Sequence, residues 1–245
     1  MIAIDKTTII EWTALLKRQF SKTKLTRTML ICFAVLGALS ALRFGAASLN
    51  YHHATNGLAQ LKADRNELDA DDFESIRNAA TQAEFYHASH PFYADISAQV
   101  DEWSVVLGIN EASALDEAKD KYLRATHLRP SWPVTWGSLA MIKWRKKEFD
   151  QEMLKYLKKA DKLGPHKPEV HILFARLGLA LYSVNHPMYK EIREQTQRRV
   201  VEGLRHPKSR RDVRRAIKNT KSMDFACAWS KQQNQYVFDR ILKCA

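Results

Sequence analysis

The sequence predicts an all-α protein in which one N-terminal transmembrane helix is followed by a solenoid of helix hairpins. Three observations carry this. Ala, Leu, Lys, Arg, Glu and Gln dominate most windows of the 245 residues, only eight glycines and seven prolines interrupt them, and alternating apolar/polar runs are almost missing. Met29 to Leu42 carries no charge. Finally, Ala125, Leu128, Pro130, Pro133, Trp136, Leu139 and Ala140 recur 35 residues later as Ala160, Leu163, Pro165, Pro168, His171, Phe174 and Ala175.

Residues 1–28 place Ile9, Ile10, Trp12, Leu15, Leu16 and Phe20 beside Lys17, Arg18, Lys22, Lys24 and Arg27, the composition of a cytoplasmic amphipathic segment with a basic collar. Residues 29–49 follow as the membrane anchor. As one helix they rise roughly 1.5 Å per residue, about the 30 Å of a hydrocarbon layer. Arg43 sits past the midpoint, where its stem carries the charge toward the interface, and Tyr51 is placed as an interfacial ring. The basic excess before the span predicts a cytoplasmic N-terminus and residues 50–245 outside the cytoplasm. A cleaved signal peptide, with Gly45 and Ala47 near the cut, and a buried core helix are the alternatives.

Residues 50–111 read as membrane-proximal helices: His52 to Leu68, then a helix begun by a capping box of Asp71 and Glu74 after the acidic turn at Asp69, then Ala94 to Ile109. Residues 112–182 hold the repeats, with helices over Ala114–Leu128, Pro133–Lys146, Glu148–Leu163 and Pro168–Tyr182. Ala118, Tyr122, Ala125 and Pro130 match the second-helix pattern of a tetratricopeptide repeat, and Trp136, Leu139 and Ala140 match its first helix. The expected division of labour is physical. Small residues sit where helices cross, rings fill the space between hairpins, and prolines end helices because they lack an N–H. Lys143 and Glu152 depart from the pattern.

Residues 183–245 are basic C-terminal helices. Between Arg193 and Lys221 eleven Lys and Arg face Glu194, Glu202 and Asp212, so much of the chain's net +12 lies here. Arg198, Arg199, Arg205, Arg210, Arg211, Arg214 and Arg215 form the candidate anion-binding patch, suited to anionic glycan or lipid headgroups rather than to nucleic acid, which the predicted topology keeps away. A solvated helix face without a ligand is the alternative.

Cys32 falls in the anchor, whereas Cys227 and Cys244 fall in the exported part, where disulfides persist, and are expected to bond. One continuous helix would hold them about 25 Å apart, so the chain must turn, most plainly around Lys231 to Gln235. The histidine pairs His87/His90 and His166/His171 lack HExxH, CxxC or carboxylate companions, so no metal or other cofactor is expected. No GxSxG, GxGxxG or Walker loop occurs, and no catalytic residue is assigned.

Leu128, Arg129, Pro130, Trp132, Pro133 and Trp136 spell an LRPxWPxxW motif, Leu163, Gly164, Pro165, Pro168, Glu169 and Val170 spell LGPxxPEV, and Gly178, Leu179 and Ala180 a GLA core. This resembles the VpsP family of bacterial polysaccharide-biosynthesis proteins. The resemblance implies a non-enzymatic, membrane-anchored accessory protein of exopolysaccharide production or export, partnered by protein components of that machinery. A general periplasmic tetratricopeptide scaffold or chaperone of an envelope or secretion complex is the alternative, and an enzyme acting on polysaccharide a further one.

Overall fold

The structure is a computed structural model. It describes residues 6–63 and 70–244, with side chains from residue 24 onward except that of Ala70. The elements are α1 (Lys6–Ala63), α2 (Ala70–Tyr86), α3 (Pro91–Val106), α4 (Ala114–Leu128), α5 (Pro133–Arg145), α6 (Gln151–Leu163), α7 (Pro168–Ser183), α8 (Met188–Arg205), α9 (Pro207–Asn219), α10 (Met223–Gln233) and a π-helical segment over Val237–Leu242. No strand occurs among the described residues. The protein is all-α.

Short connections force neighbouring helices antiparallel. The pairs α1/α2, α3/α4, α5/α6 and α7/α8 are hairpins, each helix packing most extensively on its own partner, and α9 closes the stack against α7 and α8. The 35-residue offset is repeated in burial. Ala125 and Ala160, Leu139 and Phe174, and Ala140 and Ala175 are all buried, as are Trp136 and His171. A tetratricopeptide-like hairpin stack follows from this pattern. It also has a third copy. Counting seven residues from each opening proline gives Ala98 after Pro91, Ala140 after Pro133 and Ala175 after Pro168, each fully buried.

Crossing distances explain the small residues. A Cβ built on Gly178 of α7 would lie 2.2 Å from Oγ1 of Thr196 on α8, so that hairpin closes only over a glycine. Lys143 and Glu152, the two departures from the repeat, are ion-paired at 3.1 Å across the α5/α6 hairpin.

Two sequence expectations need correction. The separate helix from His52 does not exist: α1 runs unbroken to Ala63, so the 49/50 boundary falls inside it. Nothing between Leu49 and His52 breaks a helix, since neither glycine nor proline occurs there. Residues 24–45 are exposed, while Ala47, Ala54, Leu58 and Leu61 pack against α2 and α3. Length and composition make α1 able to cross a membrane, and its apolar window is unburied. Asp71 lies inside α2 and does not cap it; Asp69 and Leu68, like the side chains of residues 1–23 on which the amphipathic reading rests, lie outside the described residues.

Candidate interaction surface along the hairpin turns

Four helices open with the same device. His90, Trp132, Lys167 and His206 each precede a proline at the first helical turn, and each is extended, with φ/ψ of −89/118, −87/109, −82/121 and −78/122. The proline ring drives the preceding residue out of the α region and pre-sets φ for the helix after it. Side chains of one type of position are thereby brought to one edge of the stack, in hairpin order.

That edge is continuous. The Phe44 ring of α1 lies 4.6 Å from His87, which lies 5.2 Å from His90; His90 is 5.6 Å from Phe92, and Phe92 meets Trp132 edge-on at 5.9 Å. Cations interleave the rings. The Arg129 guanidinium stands 4.7 Å from the Phe92 centroid and 4.0 Å from that of Trp132, and Lys167 Nζ stands 4.3 Å from Trp132. Such stacks hold a cation in place while leaving its charge unneutralised. No carboxylate among the described residues pairs with Arg129 or Lys167. Beyond Lys167, an open cleft of about 520 Å³ is lined by Gly164, His166, Lys167, His206 and Lys208, among others. Gly164 lets successive turns touch, since a Cβ there would lie 2.8 Å from Pro133.

The residues singled out in the sequence separate into three environments. Ala118, Tyr122, Ala125, Trp136, Ala140, Ala160 and Ala175 are interior, with Tyr122 donating to Glu102 at 3.0 Å and Trp136 Nε1 donating to the Pro130 carbonyl at 2.8 Å. Pro133 is buried, Trp132 and Pro168 are half-buried, and Pro130 and Pro165 are exposed in the turns. Leu128 and Leu163, read as packing residues, are 41% and 37% exposed. They are the last residues of α4 and α6, where the chain leaves the core.

The candidate arginine patch is smaller than its sequence. Arg199 is buried and does not belong to it, because its guanidinium is spent on Asp161 and on the carbonyls of Gly164 and Pro165. Arg210 caps the carbonyls of Leu204 and Arg205, and Arg214 donates to the Ile241 carbonyl. Arg198 pairs with Asp161 at 2.7 Å, Arg205 with Glu202 at 3.6 Å and Arg215 weakly with Asp212 at 3.8 Å, which leaves Arg211 as the exposed member without an ion pair among the described residues. The Lys143–Lys146 cluster is likewise neutralised, Lys143 by Glu148 and Asp150, Arg145 by Glu102, and Lys146 by Asp116.

Burial, then His87 and Arg129, lower the His90 pKa. Asp95 is pushed up by burial even though Thr135 donates to it at 2.6 Å and Gln99 at 2.9 Å, and it faces the interior between α3 and α5. Among the described residues no group of three His, Cys, Asp or Glu is placed to hold a metal ion. Cys227 and Cys244 are bonded, their Cα atoms 5.9 Å apart, because the chain turns at Asn234 after α10; Cys32 is exposed on α1.

No protein-family model matches this chain, and no curated protein does. One similar solved structure, described as "Functional Characterization of Pseudomonas Aeruginosa pilF", aligns over 81% of this chain and 96% of that one, with 16% identity and a TM-score of 0.27.

His90, Phe92 and Lys167 were not singled out by composition or by the 35-residue repeat. A usable signal existed. Each residue-proline pair that opens a helix marks one rung of the edge, and the spacing of the prolines at 91, 133, 168 and 207 is unequal because both the helices and the connections between them differ in length.

Proposed function

We propose that this chain is a non-enzymatic, membrane-anchored accessory or scaffold protein of bacterial exopolysaccharide biosynthesis or export, acting through a periplasmic helical-repeat domain. One observation carries the reading: the residues of the LRPxWPxxW and LGPxxPEV motifs occupy the turns and packed crossings of a hairpin stack grown directly on a long, exposed apolar helix. Stacks of this kind present extended surfaces to partners and need no cleft of reactive groups. The motif resemblance to VpsP proteins supplies the pathway. The basic collar before the span supports a cytoplasmic N-terminus in the inner membrane, and the cysteine pair suits an oxidising compartment.

Deleting the gene in its host tests the pathway. Exopolysaccharide yield or chain length should fall and return with the wild-type copy; both unchanged would overturn the proposal. Crosslinked partners drawn from a secretion or envelope complex, with no glycan-assembly component among them, would favour the general scaffold instead.

A further inference from the structure

The direction of the chain relative to the membrane determines which edge of the stack faces it. α1 leaves the apolar span pointing away from the bilayer, α2 returns, and each later hairpin repeats this alternation. The connections α2–α3, α4–α5, α6–α7 and α8–α9 therefore all fall on the side where α1 emerges, and α3–α4, α5–α6 and α7–α8 fall on the far side. The first of these is pinned. Arg43 Nε, at the end of the charge-free run, donates to the Tyr86 carbonyl at 2.6 Å, and Phe44 touches His87, so the α2–α3 turn sits level with the end of the span.

A second, independent regularity marks the same edge. An apolar side chain is exposed at the end of the first three returning helices, α2, α4 and α6: Phe85 at 72%, Leu128 at 41% and Leu163 at 37%. Beside them lie Trp132, Arg129 and Lys167, and farther on Lys208, against Glu169 in the first turn of α7 and Glu202, which pairs with Arg205 at 3.6 Å. The far turns also expose apolar residues, Ile109 and Val184, but there Glu111, Glu148 and Asp150 balance Lys146 and Lys147. Apolar tips, a tryptophan and unneutralised cations on one edge match the composition of a membrane–water interface with anionic lipid.

We propose that the turn edge running from Phe85 through Leu128, Arg129 and Trp132 to Lys167 lies against the bilayer that α1 crosses and binds anionic phospholipid headgroups. This rests on α1 being an uncleaved anchor. The contact fixes the repeat domain to the membrane at two places, by the span and by the edge, and leaves the far turns directed outward for partners.

Spin labels on the full chain decide it. Single cysteines replace Phe85, Leu128, Val184 and Leu36 in a Cys32→Ala background, and the protein is reconstituted in vesicles of phosphatidylcholine with or without phosphatidylglycerol. The ratio of oxygen to nickel-chelate accessibility should be high at Leu36, several-fold higher at Phe85 and Leu128 than at Val184, and higher still at Phe85 when phosphatidylglycerol is present. Leu36 in lipid with Phe85 and Leu128 as aqueous as Val184 would overturn the edge contact alone. An aqueous Leu36 would overturn the anchor and the contact together. In the Arg129→Glu, Lys167→Glu protein the phosphatidylglycerol increment should vanish; an increment retained there, or none in the wild type, would refute headgroup binding.

Discussion

Arg199 of α8 donates through Nε to the Asp161 carboxylate of α6 at 2.6 Å, through Nη1 to the carbonyls of Gly164 and Pro165 at 3.1 and 2.6 Å, and through Nη2 to the Asp161 carbonyl at 2.5 Å. Its side chain is only 3% exposed. One guanidinium thus ties the last two hairpins together and satisfies the end of α6, where carbonyls have no partner within the helix. Arg199→Ala should lower stability by about 1–3 kcal/mol, since it takes from the buried Gly164 carbonyl its side-chain donor while Asp161 keeps Arg198. Arg199→Lys should recover little, because a single ammonium cannot make the forked contacts. Arg211→Ala, at a solvated position, should change the urea midpoint hardly at all.

Gly178 and Thr196 should behave as a coupled pair. Gly178→Ala forces a methyl into the Thr196 side chain, whose Oγ1, Cγ2 and Cβ would stand 2.2, 2.5 and 2.9 Å away. Overpacking of this sort costs about 1–3 kcal/mol. Adding Thr196→Ala removes the two nearest obstructing atoms, Oγ1 and Cγ2, and leaves only Cβ, so the double variant should be more stable than Gly178→Ala alone. Chemical denaturation of the four proteins gives the coupling; strict additivity would show that the hairpin opens to accept the methyl.

The helix order and the repeat were legible because they depend on local spacing. Ala114–Leu128 is bounded in the structure as in the sequence, and the motif prolines open α5 and α7 where expected. What was hidden depends on distance. The copy beginning at Pro91 escaped because α3 and α4 are longer than α5 and α6 and the α3–α4 connection is longer too, which spoils the fixed offset. Arg199 looked like any member of a basic run, and only a partner 38 residues away shows it to be interior. α6 starts at Gln151, later than the apolar pattern indicates, because Asp150 caps it by accepting from the Met153 N–H at 3.0 Å. The turn edge was invisible for the same reason: its cations and rings come from four different connections.

Stability should fall in two steps as pH is lowered. His171 is buried, and desolvation, followed by the charges of Arg199, His206 and His166, lowers its pKa to about 4, with Asp161 opposing. An unfolded histidine titrates near 6.5, so between about pH 6.5 and 4 the unfolded state binds the extra proton and stability drops. Glu152 has the opposite charge type and a lower window. Hydrogen bonds from Tyr156 and Lys119 depress it to about 2, with Lys143 adding to the effect and burial opposing, so the stability it confers is complete above its ordinary value of 4.5 and is lost as pH falls toward 2. His171→Leu should flatten the first step and Glu152→Gln the second, read as urea midpoints across the range. The His171 ring titrating near 6.5 by NMR would refute the first assignment.

The C-terminal bond should matter locally rather than globally. Cys227 and Cys244 are 17 residues apart, and the loop they close carries Val237 and Ile241 into the cluster formed by Val200, Leu204, Val213 and Trp229. Closing a ring of this length stabilises by about 3 kcal/mol on the loop-entropy account. Reduction, or Cys227→Ser with Cys244→Ser, should therefore release the segment Val237–Leu242 and the Arg214 contact to the Ile241 carbonyl, while Leu139, Leu157 and Phe174 stay packed in the separate core of α3–α8. Hydrogen exchange resolves this: protection should fall over residues 223–244 and in α9, and remain in α4 to α7. Two free thiols in non-reducing mass spectrometry of the protein isolated from its host would refute the bond, and loss of protection throughout the stack would show that the C-terminal segment supports the repeats it covers.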